Sequence, residues 1–433
     1  MKGNSLGEVV MVNRDRYLKQ IIDYMWDGQV KVITGIRRSG KSVLLFELFK
    51  NYLLEDGVLE ENIIMIELDK RKGAKYRNPI KLCEYVEGMI EGKEQQYYLF
   101  IDEIQFCREV IDSEADDEVI TIYDMLNELK DYKNLDIYVT GSNSKMLSKD
   151  ILTEFRGRSS QIHVNPFSFK EYYEAVGGEK REAFDEYMLY GGMPYLIHLK
   201  TDKQKKDYLD RLFKEVYIKD IVERERIERE DILSDMLDYL SSSISSLTNP
   251  TNITNAINSI KNDHVSPNTV NCYLEYLKEA FLISEARRYD VKGKKYFEYP
   301  NKYYYVDIGL RNARVNFRQF DPGHIMENII YNELISRGYS VDVGVVTDRR
   351  KGQNVQKEID FVVNSADKRV YIQSAYEMHM TDKINSELDS LLLSKDFFKK
   401  IIIRSDIPRT FMDENGIIHQ NIIDFLLNDK ELF

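Results

Sequence analysis

Two short stretches hold residue types that could do chemistry together. Gly35 to Ser42 reads Gly-Ile-Arg-Arg-Ser-Gly-Lys-Ser, a glycine loop ending in a lysine and a hydroxyl. About 60 residues on, an apolar run, Tyr-Tyr-Leu-Phe-Ile, ends in the paired acids Asp102 and Glu103. The first stretch fits G-x-x-x-x-G-K-[ST], whose glycines let main-chain N–H groups turn inward around an anion. The anion such a loop suits is a chain of phosphates. Gly35, Ile36, Arg37, Arg38, Ser39, Gly40, Lys41, Ser42 and Val43 are expected to cradle it, with Lys41 reaching the terminal phosphates. Ser42 and Asp102 would hold Mg²⁺, and Glu103 would orient or activate the attacking water. The expected ligands are therefore ATP and Mg²⁺. Arg37 and Arg38 read as solvated members of the loop, the other reading being added charge beside the nucleotide.

The elements needed to position these groups are also legible. Val30, Val32 and Ile33 form a β-branched run ending at Thr34, which predicts a buried strand. The run Val-Leu-Leu-Phe-Glu-Leu-Phe after Ser42 has helical apolar spacing, so the loop lies between a strand and a helix N-terminus. A third strand, Leu135 to Thr140, leads into Gly141-Ser142-Asn143. Ser142 or Asn143 at its tip is a candidate sensor of the γ-phosphate, against the alternative of an ordinary turn. Arg156 and Arg158 flank Gly157 before a further strand. They are candidates for stabilising transition-state charge, within the chain or across a subunit boundary, or else a surface pair.

The 433 residues suggest two to four domains, and 43% hydrophobic with 31% charged residues is the balance of a globular protein. A net charge of −12 argues against a general polyanion binder while leaving room for a local basic patch. The three cysteines form no CxxC pair, which argues against a zinc knuckle or a disulfide framework. The first ten residues lack the apolar centre of a signal peptide, and no apolar run approaches the roughly 18 residues of a membrane span. A cytoplasmic protein is expected.

The ordered set GIRRSGKS, LFIDEIQ, TGSNSKML, FRGRS, PFSFKEY and GGMPYLI resembles bacterial and archaeal AAA-type ATPases with a second conserved C-terminal domain of unknown function. YYVDIGLRN, ENIIYNEL, EIDFVV and YIQSAY carry the resemblance on through about 425. The resemblance implies an α/β fold: a parallel-sheet P-loop core of the AAA/STAND type, a helical and winged-helix region, and a C-terminal α/β domain similar to PD-(D/E)xK nucleases. The expected division is 1–165 for the core, 166–230 for a helical lid, 231–315 for the winged helix and 316–433 for the last domain. Gly191 to Pro194 resembles a motif that couples such cores to the helices behind them, with Pro194 near the nucleotide. A loop between two helices is the competing reading.

In the middle of the chain, Ser266 reads as an N-cap and Pro267 as the first residue of a helix with Val270, Tyr273, Leu274 and Leu277 on its apolar face. Asn268, Thr269 and Asn271 lie on the other face, and a hairpin carrying Lys292, Lys294 and Lys295 follows. These six are the candidate DNA contacts, with packing against the protein itself as the alternative. In the last domain Glu327 matches the helical acid of the nuclease pattern and Asp360 the strand acid, with Glu358 nearby on that strand. Gln373 stands where the third acid belongs and Ala375 where the lysine belongs. An amide is a poor ligand for Mg²⁺ and alanine carries no charge, so this degenerate site is expected to have lost cleavage.

The leading expectation is an Mg²⁺-dependent ATPase acting as a nucleotide-controlled switch, in a homo-oligomer or on a protein client. A DNA-binding regulatory or defence module tuned by ATP, and an ATP-coupled nuclease, are the alternatives.

Overall fold

The computed structural model describes residues 11–112, 118–141, 159–261, 264–293, 295–350, 353–365, 368–378, 388–429 and 431–433. The chain divides into two compact units, the first ending at Pro166 with Glu279–Phe281 added, the second made of the rest.

The first unit is built on a parallel sheet whose three central strands are buried on both faces, while its edge strands are partly exposed. Its strands are β1 (Val30–Thr34), β2 (Ile63–Glu67), β3 (Tyr97–Asp102), β6 (Leu135–Thr140) and β7 (Ser159–His163). The small antiparallel ribbon of β4 (Val110–Asp112) and β5 (Glu118–Ile120) stands between β3 and β6 in the chain. The five strands pair in parallel in the order β2-β3-β6-β1-β7. Alternation along them feeds two cores. Val30, Val32, Leu99, Ile101, Ile137 and Val139 face one layer, while Ile33, Tyr98, Phe100 and Tyr138 face the other. The chain leaves β1 for the far edge and returns later to place β6 beside it. This reversal opens a crevice at the carboxyl ends of the strands, where ligands of such sheets bind.

In the second unit, helices Glu230–Ser242, Pro250–Lys261 and Pro267–Glu279 precede the hairpin of β8 (Ile283–Asp290) and β9 (Lys295–Tyr305). Helix Pro322–Ser336 follows, then β10 (Ser340–Arg350), β11 (Gln353–Ser365), β12 (Lys368–Ala375), β13 (Lys399–Arg404), β14 (Phe411–Met412) and β15 (Ile418–Asn421). The order is β14-β15-β13-β12-β11-β10-β8-β9. β10, β11 and β12 are antiparallel neighbours, and β13 lies parallel to β12. The β8–β9 hairpin is the edge of this sheet, since β8 pairs in parallel with β10. The sheet therefore draws strands from both sides of the boundary expected at 315/316. No helix among the described residues is long and apolar enough to cross a membrane.

The Gly-Gly of GGMP is gripped within this unit. Asp307 accepts the Gly192 N–H at 2.7 Å and caps helix Ile308–Arg314 through the Leu310 N–H at 3.1 Å. Burial pushes the Asp307 carboxyl up to about 6, against the pull of these N–H groups. A Cβ on Gly191 would sit 2.3 Å from Asp307 Oδ1, and one on Gly309 would sit 1.8 Å from the Tyr190 carbonyl oxygen.

Candidate functional site

β1 ends at Thr34, and the backbone then takes turns open to few residue types. Gly35 has φ 136°, Arg38 φ 63° and Gly40 φ 96°. A side chain at Gly35 would put its Cβ 2.2 Å from the Val164 carbonyl oxygen, so only glycine fits there. Lys41 opens the helix that runs through Leu44–Phe49 to Lys50–Glu55. Its side chain is buried, and Nζ donates to the carbonyls of Gly35 at 2.9 Å and Ile36 at 3.0 Å. Burial pulls its pKa down to about 8, opposed by the charges of Glu103 and Asp102. Ser39 is fully buried, and its hydroxyl has no hydrogen-bond partner among the described residues. Such an orphan inside a glycine loop fits a loop shaped around a polar ligand.

Asp102 ends β3 within reach of this loop. Ser42 Oγ donates to Asp102 Oδ1 at 3.1 Å, and Thr140, at the tip of β6, donates its hydroxyl to the same oxygen. Burial raises the Asp102 pKa, the two hydroxyls lower it, and the neighbouring Glu103 raises it further. Glu103 sits in the left-handed region at φ 54°, a conformation costing of order 1 kcal/mol for a non-glycine residue. Its N–H donates to Thr140 Oγ1 at 3.1 Å, and Gln105 Nε2 donates to its carboxylate. The β6 tip thus joins both acids.

Of the loop residues, Ile36 is buried, Arg37 half-buried, and Arg38 and Val43 exposed. Ser142, Asn143, Arg156, Arg158 and Lys294 lie outside the described residues. Sequence reading missed Thr140 and Arg14. Arg14, buried and at φ 52°, donates to the Ser39 carbonyl at 2.8 Å and the Asn165 carbonyl at 2.7 Å, fastening the loop from behind.

Two family models match the chain. Residues 27–173 match the family described as AAA domain, and residues 181–321 match one described as Domain of unknown function (DUF8612). An uncharacterized protein of Haemophilus influenzae is 33% identical over 425 residues, covering 96% of this chain and 99% of its own length. The chain belongs to that protein's family. An uncharacterized protein of Methanocaldococcus jannaschii is 28% identical, covering 86% of this chain and 79% of its own. Among solved structures, a Walker-type ATPase of Pyrococcus abyssi is 15% identical with a TM-score of 0.48, covering 72% of this chain and 99% of its own. Aquifex aeolicus DnaA bound to AMPPCP is 16% identical with a TM-score of 0.31, covering 63% and 90%. Residues 27–173 are an AAA-type P-loop domain.

The nucleotide and Mg²⁺ that the loop sequence leads one to expect fit the residues present. The orphaned Ser39 hydroxyl, the glycine turns and the Ser42–Asp102 pair form a donor set suited to phosphate and a hard cation.

In the second unit, Ser266 caps helix Pro267–Glu279 through the Thr269 N–H at 3.1 Å. Asn268 is exposed, Thr269 and Asn271 half-buried. Lys292 and Lys295 are exposed, but Lys292 Nζ donates to the Thr347 carbonyl of β10 at 3.1 Å. Lys278 on the helix is held by Glu275 and Glu285. Glu327, Glu358 and Asp360 lie together around Lys302, and Gln373 Oε1 accepts the Asp360 N–H at 3.2 Å. Ala375 is buried in the apolar core. The lysine absent from that position arrives from elsewhere. Lys302 of β9 places Nζ 2.7 Å from Glu327 Oε1, 2.6 Å from Glu358 Oε1 and 3.3 Å from Asp360 Oδ1. Burial alone would lower its pKa, but the three carboxylates outweigh burial and hold it well above the ordinary value. Burial pushes the Glu327 carboxyl up, against the pull of Lys302.

Proposed function

We propose that the chain is an ATP-binding, Mg²⁺-dependent ATPase whose slow hydrolysis works as a switch. The observation that carries this is the meeting of Ser42 Oγ and Asp102 Oδ1, 3.1 Å apart, beside a buried loop lysine. Ser42 and Asp102 would hold Mg²⁺, which supplies charge neutralisation on the phosphate oxygens. Gly35 to Val43 would wrap the phosphates, and Lys41 would leave the carbonyls of Gly35 and Ile36 to neutralise the chain's end. Glu103, fixed by Thr140 and Gln105, would take the proton of the attacking water. Ser142, Arg156 and Arg158 remain the proposed sensor and charge-stabilising residues.

In this reading 1–165 is the core, 166–230 the lid, 231–315 a winged helix and 316–433 a PD-(D/E)xK-like domain, with the winged-helix hairpin added to the edge of the last domain's sheet. Three helices followed by a hairpin support the winged-helix assignment. A helix, three antiparallel strands and a parallel fourth strand support the last. The pairing of Lys278 and Lys292 within the protein favours packing over DNA contact for the region of Asn268, Thr269, Asn271 and Lys295.

The test is ATP turnover and ATP binding in the full chain, with Glu103→Gln and Lys41→Ala beside the wild type. Glu103→Gln is expected to lower kcat about 100-fold or more with little change in affinity, and Lys41→Ala to lose binding. Equal turnover by Glu103→Gln removes Glu103 from the chemistry, and absence of binding by the wild type removes the whole reading.

A further inference from the structure

The carboxylate site of the second unit poses a choice that its geometry decides. An ammonium group beside three acids can be a catalytic cation working next to a metal, or it can replace the metal. A working lysine must aim at least one N–H at the reacting oxygen or water. Lys302 has none to spare. An ammonium has three N–H donors, and three carboxylates surround it, with one oxygen each of Glu327, Glu358 and Asp360 within 3.3 Å of Nζ.

Further hydrogen bonds hold two of the acids in place around the ammonium. Tyr304, fully buried, donates its hydroxyl to Glu327 Oε1 at 2.8 Å, the oxygen that Lys302 also uses. The Ser374 N–H donates to Asp360 Oδ2 at 2.9 Å. Gln373, which replaces an acid, turns its amide oxygen to the Asp360 N–H instead of toward a cation. Tyr304 also stacks on Tyr331 at 4.0 Å between ring centroids, walling the cluster with aromatic surface. Mg²⁺ needs oxygens at about 2.0–2.1 Å in an octahedron, and an ion bridging the three acids through the oxygens nearest Lys302 would have to take the place of its ammonium.

We propose that Lys302 is the resident cation of the Glu327–Glu358–Asp360 site, standing where a divalent metal would bind, so that this domain keeps its acids together without metal and does not cleave phosphodiester bonds. The site is a latent divalent-cation site, closed by a lysine from the neighbouring hairpin. Removing the ammonium while leaving the acids should open it to a hard cation, because three converging carboxylates then lack a counter-charge. Nucleotide binding in the first unit plays no part in this.

The experiment uses the full chain carrying Asp102→Asn, so that metal held by the first unit does not count, with Mn²⁺ as the probe. In this background three chains are compared, unaltered at Lys302, Lys302→Met, and Lys302→Met with Asp360→Asn. Binding is read by the paramagnetic resonance of free Mn²⁺, and stability by thermal unfolding in EDTA and in Mn²⁺. The chain with Lys302 is expected to bind no Mn²⁺ at this site and to melt at the same temperature in EDTA and in millimolar Mn²⁺. Lys302→Met is expected to melt lower in EDTA, regain several degrees in Mn²⁺ and bind about one ion per chain, an ion lost again with Asp360→Asn. If Lys302→Met does not fold, the chain with Lys302 still decides. Mn²⁺ binding by that chain that disappears on Asp360→Asn overturns the proposal, as does Mn²⁺-dependent nicking of supercoiled DNA. Lys302→Met that folds but gains no Mn²⁺ overturns it too.

Discussion

Lys41 and Lys302 are nearly equally withdrawn from water, at 4% and 2% exposure, yet their surroundings set them opposite tasks. Lys41 rests on two main-chain carbonyls, with carboxylates acting on it only at longer range, and burial drags its pKa down to about 8. It is a cation kept short of negative charge, and a polyanion would relieve it. Lys302 lies against three carboxylates, and its pKa is held well above the ordinary value. Nothing anionic needs to come from outside. The lesson is that a buried lysine signals a ligand site only when the charge it needs has been left out.

The same substitution at both positions breaks or sharpens this contrast. Lys302→Met leaves three acids facing one another without a cation. It should destabilise the second unit by about 3–5 kcal/mol, the usual result of removing one member of a buried ion cluster. Lys41→Met should act in the other direction. A folded pKa of about 8 against 10.5 means that the charged lysine costs stability below pH 8, and that this cost fades as pH rises from there toward 10.5. Removing the amine should therefore stabilise the nucleotide-free first unit near pH 7, by up to about 3 kcal/mol. Denaturant unfolding of both variants in EDTA checks the pair of signs, and a loss of stability in both erases the distinction.

The third consequence is smaller. Above about pH 8 the free protein has shed the Lys41 proton, and a triphosphate binds better to the charged amine. Binding then takes up a proton, and ATP affinity should fall by up to tenfold per pH unit between pH 8 and 9. Calorimetry in buffers of different ionisation enthalpy measures both the affinity and the proton. An affinity flat across that range would mean that the loop lysine stays charged without its ligand.

The two regions also differ in how readable they were. The loop chemistry is written in consecutive residues, so Gly35 to Ser42 could be interpreted before any fold was known, and the strand ending in Asp102 lay a fixed pattern away. Thr140 was overlooked because a threonine at a strand end is ordinary. Its importance comes from β6 lying between β1 and β3. Arg14 precedes the motif and acts on carbonyls, which leave no mark in the sequence. Lys302 was missed for a different reason. The missing lysine was sought at the local spacing that falls on Ala375, whereas the actual one precedes Glu327 by 25 residues and Asp360 by 58. One signal was available: a lysine directly before Tyr303-Tyr304-Tyr305, in a strand otherwise fit for burial, calls for a buried counter-charge. The hairpin's place at the sheet edge was not legible either, because its pairing with β10 joins segments separated by two helices.

The grip of Asp307 on the Gly-Gly turn, 115 residues away in the chain, bears on how this protein can be re-engineered. A transplant of the Lys180–Tyr190 helix and its following turn from another member of the family would arrive with a backbone amide seeking its carboxylate, and with glycines cut to fit a neighbour left behind. The two segments work as lock and key, and a chimera designer would have to move them together.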